Sequence, residues 1–118
     1  MIVFFIQQAK LNEEYINAAK KGDVQKLKAL FGEGEHKGKK TGHLVPELGA
    51  VNKYQWSALH YAALKGRLEA VRWLLAKGLD PGLKDYQGNT ALMLAIILGH
   101  EQVTLELAKK MVDFGAKD

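Results

Sequence analysis

A chain of 118 residues fits a single domain, and its 47% hydrophobic and 25% charged content is that of a folded globular protein, not a disordered or fibrous one. Without cysteine it can hold no disulfide, thiolate-bound zinc or iron–sulfur cluster, and it offers no thiol nucleophile. A formal charge of +4 permits weak attraction to phosphates or acidic proteins without requiring either.

The first feature along the chain is the apolar run Ile2-Val3-Phe4-Phe5-Ile6. It is far shorter than the roughly 20 residues of a membrane span. It also lacks the basic segment and small-residue cleavage pattern of a secretory signal. The expectation is a cytoplasmic protein without a membrane span. Three fates are open to the run: an improvised cap over the first helical hairpin, a frayed tail, or a strand pairing between molecules.

A helical hairpin is expected next, ending its first helix at Ala18-Ala19-Lys20-Lys21-Gly22. That motif recurs as Ala62-Ala63-Leu64-Lys65-Gly66, 44 residues later. A second recurrence has a period of 33: Asn52 to Leu59 lies on Asp85 to Leu92, Ala62 on Ala95, Gly66 on Gly99 and Leu74 on Leu107. The longer first spacing marks an 11-residue insertion at about Glu35 to Val45.

The middle copy explains the unit. The Ser57 hydroxyl caps a helix from Ala58 to Lys65, Gly66 closes it in a left-handed conformation, and a second helix runs from about Leu68 to Lys77. Leu68, Val71, Leu74 and Leu75 share one face of that second helix, while Ala62 and Ala63 let the pair approach closely. From Leu79 to Gly88 the chain is rich in turn formers and reads as an extended finger.

Asp85-x-x-Gly88-x-Thr90-Ala91-Leu92 and Ser57-Ala58-Leu59-His60-x-Ala62-Ala63-x-x-Gly66 resemble ankyrin repeats, as do the turn Gly78-Leu79-Asp80 and the pair Gly99-His100. The pattern departs from the family where alanine replaces proline at 58 and 91, Gln55 replaces a turn glycine, Met93 a histidine and Ile96 an alanine. The resemblance implies an all-α solenoid of helix-turn-helix units joined by extended finger loops. Its expected parts are an apolar segment (1–11), a degenerate first repeat (12–34), an insertion and finger (35–51), a second repeat (52–84) and a third, capping repeat (85–118). The last helix is expected to be longer by about one turn. Terminal units must be shielded because a repeat buries its apolar face only against neighbours, and Lys20, Lys21, Lys26 and Lys28 at one end and Lys109, Lys110, Asp113, Lys117 and Asp118 at the other are expected to serve that need.

Catalysis and metal binding find little support. The resemblance gives His60 and His100 bracing roles, and His36 and His43, with Glu35 and Glu47 nearby, lack recognised ligand spacing. The stretch Gly32 to Thr41 fails as a phosphate loop: three residues, not four, separate Gly34 from Gly38, and Lys40 stands where a hydroxyl is needed. No nucleophile with a base and no cofactor fingerprint is present, so the expectation is a non-enzyme without metal or cofactor.

Binding to another protein is the expected function. By resemblance, partners of such solenoids meet the finger tips, here Lys53, Tyr54, Trp56, Tyr86, Gln87 and Asn89. They also meet the inner-helix surface, here Leu64, Lys65, Ile97 and Leu98, with Lys20 and Lys21 from the first unit. Large aromatics in turns, where solubility favours small polar residues, point the same way. The alternative reading packs Tyr54 and Trp56 along the stem of the insertion, or has Leu98 covered by its neighbour. Lys37, Lys39 and Lys40 form either a solvated loop or an electrostatic arm toward an acidic protein or polyanion. The competing functions are a homo-oligomer built on the N-terminal apolar segment and weak nucleic-acid contact through the basic insertion. Trp73, between Val71 and Leu74, is expected to pack between repeats.

Overall fold

The computed structural model describes residues 2–33 and 44–116. The described residues form six α-helices: α1 (Ile2–Lys21), α2 (Val24–Leu30), α3 (Ala58–Leu64), α4 (Leu68–Ala76), α5 (Ala91–Leu98) and α6 (Glu101–Ala116). They pair as three hairpins, with α1, α3 and α5 stacked as an inner layer and α2, α4 and α6 as an outer one. This is the all-α solenoid that the resemblance to ankyrin repeats implies.

Capping fixes where the helices start. Ser57 accepts a hydrogen bond from the His60 amide at 3.3 Å, and His60 Nδ1 accepts one from the Ser57 amide at 3.1 Å, closing a capping box. Thr90, one period later, accepts from the Met93 amide at 3.2 Å. With Nδ1 an acceptor, the His60 proton sits on Nε2, which donates to the Asn89 carbonyl at 2.9 Å and ties the third finger to the second repeat.

Glycine ends the inner helices for two reasons. Gly66 has φ +71°, which an L side chain adopts only at a cost. It is also a seat: the His100 ring lies across it, and His100 Nε2 donates to the Leu64 carbonyl at 2.9 Å. The first repeat has the same joint, with the Arg67 side chain crossing Gly22 and its Nε donating to the Lys20 carbonyl at 3.1 Å.

The core runs through both layers. Tyr15, Leu27, Leu59, Leu74 and Leu107 are fully enclosed, and alanines at 62, 63, 70 and 95 allow close packing. Each large side chain contributes roughly 1.5–3 kcal/mol by leaving water. Phe31 joins the first two repeats, meeting Tyr15 edge-on at 5.1 Å and Trp73 at 5.4 Å, so Trp73 packs between repeats. Exposed ion pairs such as Arg72–Glu106, at 3.3 Å between α4 and α6, add little.

Three features differ from the expectations. Ile2 to Ile6 are neither strand nor folded cap: they form the first turns of α1, at 50 to 71% exposure. Nothing between residues 2 and 21 is glycine or proline, so the helix continues to about 30 Å, and only its second half, with Tyr15, Ile16, Ala18 and Ala19, finds a core. At the other end α6 is seven residues longer than α4, about two turns instead of one. Helices α3 and α4 each stop one residue early, with Lys65 and Lys77 as their C-caps. Residues 34–43 fall outside the described residues, and with them His36, His43, Lys37, Lys39 and Lys40, as do Lys117 and Asp118.

Candidate functional site

Each finger is built by one polar side chain. Asp85 Oδ1 accepts from the Gln87 and Asn89 amides, both at 2.8 Å, and the Asp85 amide donates to the Asn89 carbonyl at 3.0 Å. Burial opposes ionisation of Asp85, but the Asn89 and Gln87 amides and the Asn89 side chain outweigh it and hold the carboxyl below its ordinary range. One period earlier Asn52 does the same work, its Oδ1 accepting from the Tyr54 and Trp56 amides at 3.0 Å. The fingers also touch, the Tyr86 amide donating to the Tyr54 carbonyl at 3.4 Å.

These turns carry the aromatic residues to the concave side. An open cavity of about 390 Å³ lies between the two fingers, walled by Tyr54, Trp56, Tyr61, Leu64, Asp85, Tyr86 and Gln87. It is at the small end of ligand pockets. Tyr86 is 75% exposed and Tyr54 57%, so both rims are free. Trp56 is partly covered and tilts against Tyr61 at 4.8 Å and His60 at 5.7 Å, which fixes the cavity floor.

Five of the ten residues expected at the site, namely Tyr54, Trp56, Leu64, Tyr86 and Gln87, line this one cavity. Lys53 lines a neighbouring groove of about 490 Å³ with Asn12, Glu13, Ile16, Lys20 and Tyr61. Lys65 is exposed beside α3, and Ile97 and Leu98 are exposed at the end of α5, away from the cavity. Asn89 is spent internally, its amide and side chain on Asp85 and its carbonyl on His60.

Sequence reasoning missed Tyr61 and Asp85. Tyr61 stands one helical turn before Leu64 and so shares its face, a signal available from spacing alone. Its ring carries Lys20 Nζ at 5.2 Å, as Tyr54 carries Lys53 Nζ at 5.3 Å. Lys20 and Lys53 both line the neighbouring groove, so the aromatic cavity has a basic flank.

Comparison with known proteins gives a single answer. The family described as Ankyrin repeats (3 copies) matches residues 15–118. The chain is 37% identical over 85 residues to the E3 ubiquitin-protein ligase XBAT32 of Arabidopsis thaliana, covering 70% of this chain and 15% of that protein. It is 31% identical over 91 residues to the NAD-capped RNA hydrolase NUDT12 of Homo sapiens, covering 77% and 18%. Among solved structures it resembles a chain of the complex of the predatory endopeptidase Bd0816 from Bdellovibrio bacteriovorus with immunity protein Bd3460, at 32% identity and TM-score 0.67, covering 82% of this chain and 45% of that one. The chain spans less than a fifth of the length of the curated relatives it matches. With three hairpins in register, the capped finger turns and a family match over most of its length, the chain belongs to the ankyrin-repeat family.

Proposed function

We propose that this chain is a non-catalytic binding module that holds a segment of another protein in the cavity between its second and third fingers. The carrying observation is the pair of exposed tyrosines, Tyr54 and Tyr86, that line one cavity together with Trp56 and Tyr61. Rigid aromatics remove much area from water while freezing few rotamers, and truncating such an anchor costs about 2 kcal/mol or more. The family match, and the fact that one similar chain was solved in complex with another protein, support protein as the class of ligand.

Leu64 supplies apolar contact inside the cavity, and Lys20, Lys53 and Lys65 favour acidic residues at its edge. Ile2, Phe5 and Ile6 fall on the same stripe of α1 as Ala9, Asn12, Glu13 and Ile16, so the overhanging turns lengthen the groove with apolar surface. Lys37, Lys39 and Lys40 add electrostatic steering in this reading.

The test is affinity capture from cells of the source, comparing the natural chain with a Tyr54→Ser, Tyr86→Ser variant by quantitative mass spectrometry. Both tyrosines are exposed, so the variant keeps its fold, which circular dichroism verifies. A stoichiometric protein held by the natural chain and lost by the variant is expected. Equal recovery by both would refute the cavity as the binding site.

A further inference from the structure

We propose that the segment held on the concave face is proline-rich, bound as a polyproline II helix, with acidic residues beside its prolines. This rests on the reading of the cavity between the fingers as a protein-binding site, and it names the chemistry that the site selects.

Shape is the first argument. The cavity of about 390 Å³ and the neighbouring groove of about 490 Å³ share two walls, Tyr54 and Tyr61, so they form one trough crossed by an aromatic ridge. The groove lies between α1 and the second finger, and the cavity between the second finger and the third, so the two hollows are offset by one repeat. Stacked helices lie about 8–10 Å apart. A polyproline II helix has three residues to the turn and rises about 3.1 Å per residue, so its side chains repeat every ~9 Å. Residues i and i+3 of such a segment therefore enter successive hollows, astride the ridge. Rows of exposed aromatic rings are the general setting in which these rigid segments dock.

Hydrogen bonding is the second argument. A proline has a carbonyl but no N–H, so a proline-rich segment brings acceptors and few donors. The trough is the reverse. Its acceptors are spent: Asp85 Oδ1 on the Gln87 and Asn89 amides, Asn52 Oδ1 on the Tyr54 and Trp56 amides, and the Tyr54 carbonyl on the Tyr86 amide. Donors remain. The Tyr61 hydroxyl accepts from Asn52 Nδ2 at 2.8 Å and keeps its own proton to give. Trp56 Nε1 has no acceptor among the described residues, and no buried side-chain nitrogen or oxygen there is left unpaired, so solvent reaches it. An ordinary segment would carry N–H groups into a surface with little to receive them, which is costly.

Charge is the third argument. Lys20 Nζ and Lys53 Nζ lie over the Tyr61 and Tyr54 rings, and neither forms a salt bridge among the described residues. Against the two lysines the groove sets a single acid, Glu13. The excess at that end of the trough is positive, so carboxylates of the bound segment belong there.

The test is an NMR titration of the labelled chain with a synthetic peptide of nine prolines between pairs of aspartates. Its control carries alternating glycine and alanine in place of the prolines. The proline peptide is expected to bind with a dissociation constant of about 0.1–1 mM, moving the Trp56 indole N–H and the Tyr54, Tyr61 and Tyr86 amides. The indole of Trp73, packed against Phe31 in the outer layer, should stay unmoved. Binding should fall by about tenfold or more for the control peptide and for Tyr86→Ser. Lys20→Glu with Lys53→Glu should lose about tenfold and should prefer the peptide with lysines in place of aspartates. All three positions are exposed, so the variants keep their fold, which circular dichroism verifies. Equal binding of the two peptides would overturn the selection of proline. No response to the proline peptide at about 5 mM would overturn it too, as would shifts confined to the outer layer. The capture experiment above separates the two readings: a partner lost by Tyr54→Ser, Tyr86→Ser keeps the cavity as the binding site whatever the peptides do, whereas equal recovery refutes the site itself.

Discussion

Replacing Gly66 with alanine strikes the joint between the second and third repeats at two points. A Cβ there sits 2.7 Å from His100 Nδ1 and 2.8 Å from its Cε1, distances no folded protein sustains, so the ring must leave. Its departure breaks the hydrogen bond to the Leu64 carbonyl, a loss of about 1 kcal/mol, and forces repacking of about 1–2 kcal/mol more. The left-handed φ of +71° adds roughly 1 kcal/mol, partly offset because alanine restricts the unfolded chain more than glycine. The sum is about 2–4 kcal/mol, or a midpoint lowered by roughly 8–15 °C for a domain of this size. Gly99→Ala is the control, since its φ of +75° is the same in kind but its Cβ meets nothing. That variant should lose only about 1 kcal/mol. Urea unfolding of dilute protein, followed by circular dichroism, measures both. Equal losses in the two variants would refute the seat, as would an undiminished Gly66→Ala penalty in a His100→Ala background.

Three further outcomes follow from the same contacts. The Tyr15 hydroxyl donates to the Leu48 carbonyl at 2.6 Å, so Tyr15→Phe should cost about 1–2 kcal/mol in urea unfolding; no change would mean the bond holds nothing together. Gln55 has φ +67° where Gly88 stands one period later, so Gln55→Gly should raise stability by about 0.5–1 kcal/mol, and destabilisation would contradict the strain. The Asp85 carboxyl titrates lower in the fold than in the unfolded chain, so its contribution is full above the ordinary carboxylate range and fades as pH falls through its folded value. The natural chain should therefore lose more stability than Asp85→Asn between about pH 5 and pH 3, whereas parallel curves would contradict the assignment.

The repeat was legible because its turns are dictated locally. Ser57 and Thr90 as caps, Gly66 and Gly99 as stops and Asp85 as the finger builder each act within a few residues of themselves, so a 33-residue period carries all of them at once. The aromatic finger tips were legible too, since Tyr54 and Tyr86 stand where turns usually carry small polar residues. The cavity was only half legible because its walls meet across repeats. Asp85 joins Trp56 and Tyr61 through the stacking of one finger on another, a contact that no spacing within a repeat encodes. Ile2 to Ile6 were misleading for another reason: a short apolar run suggests a strand or a cap when read alone. The absence of glycine and proline through Lys21 was the stronger signal.

The central claim, that a protein partner is held at the tyrosine-rimmed cavity, is tested most directly by calorimetric titration of the captured partner into Tyr86→Ser and into Arg72→Ser. Tyr86 stands on the cavity rim and Arg72 on the opposite, outer layer. The account predicts about 30-fold weaker binding for Tyr86→Ser, the equivalent of about 2 kcal/mol, and no more than about a twofold change for Arg72→Ser. Unchanged affinity for Tyr86→Ser, or an equal loss in both, would contradict it.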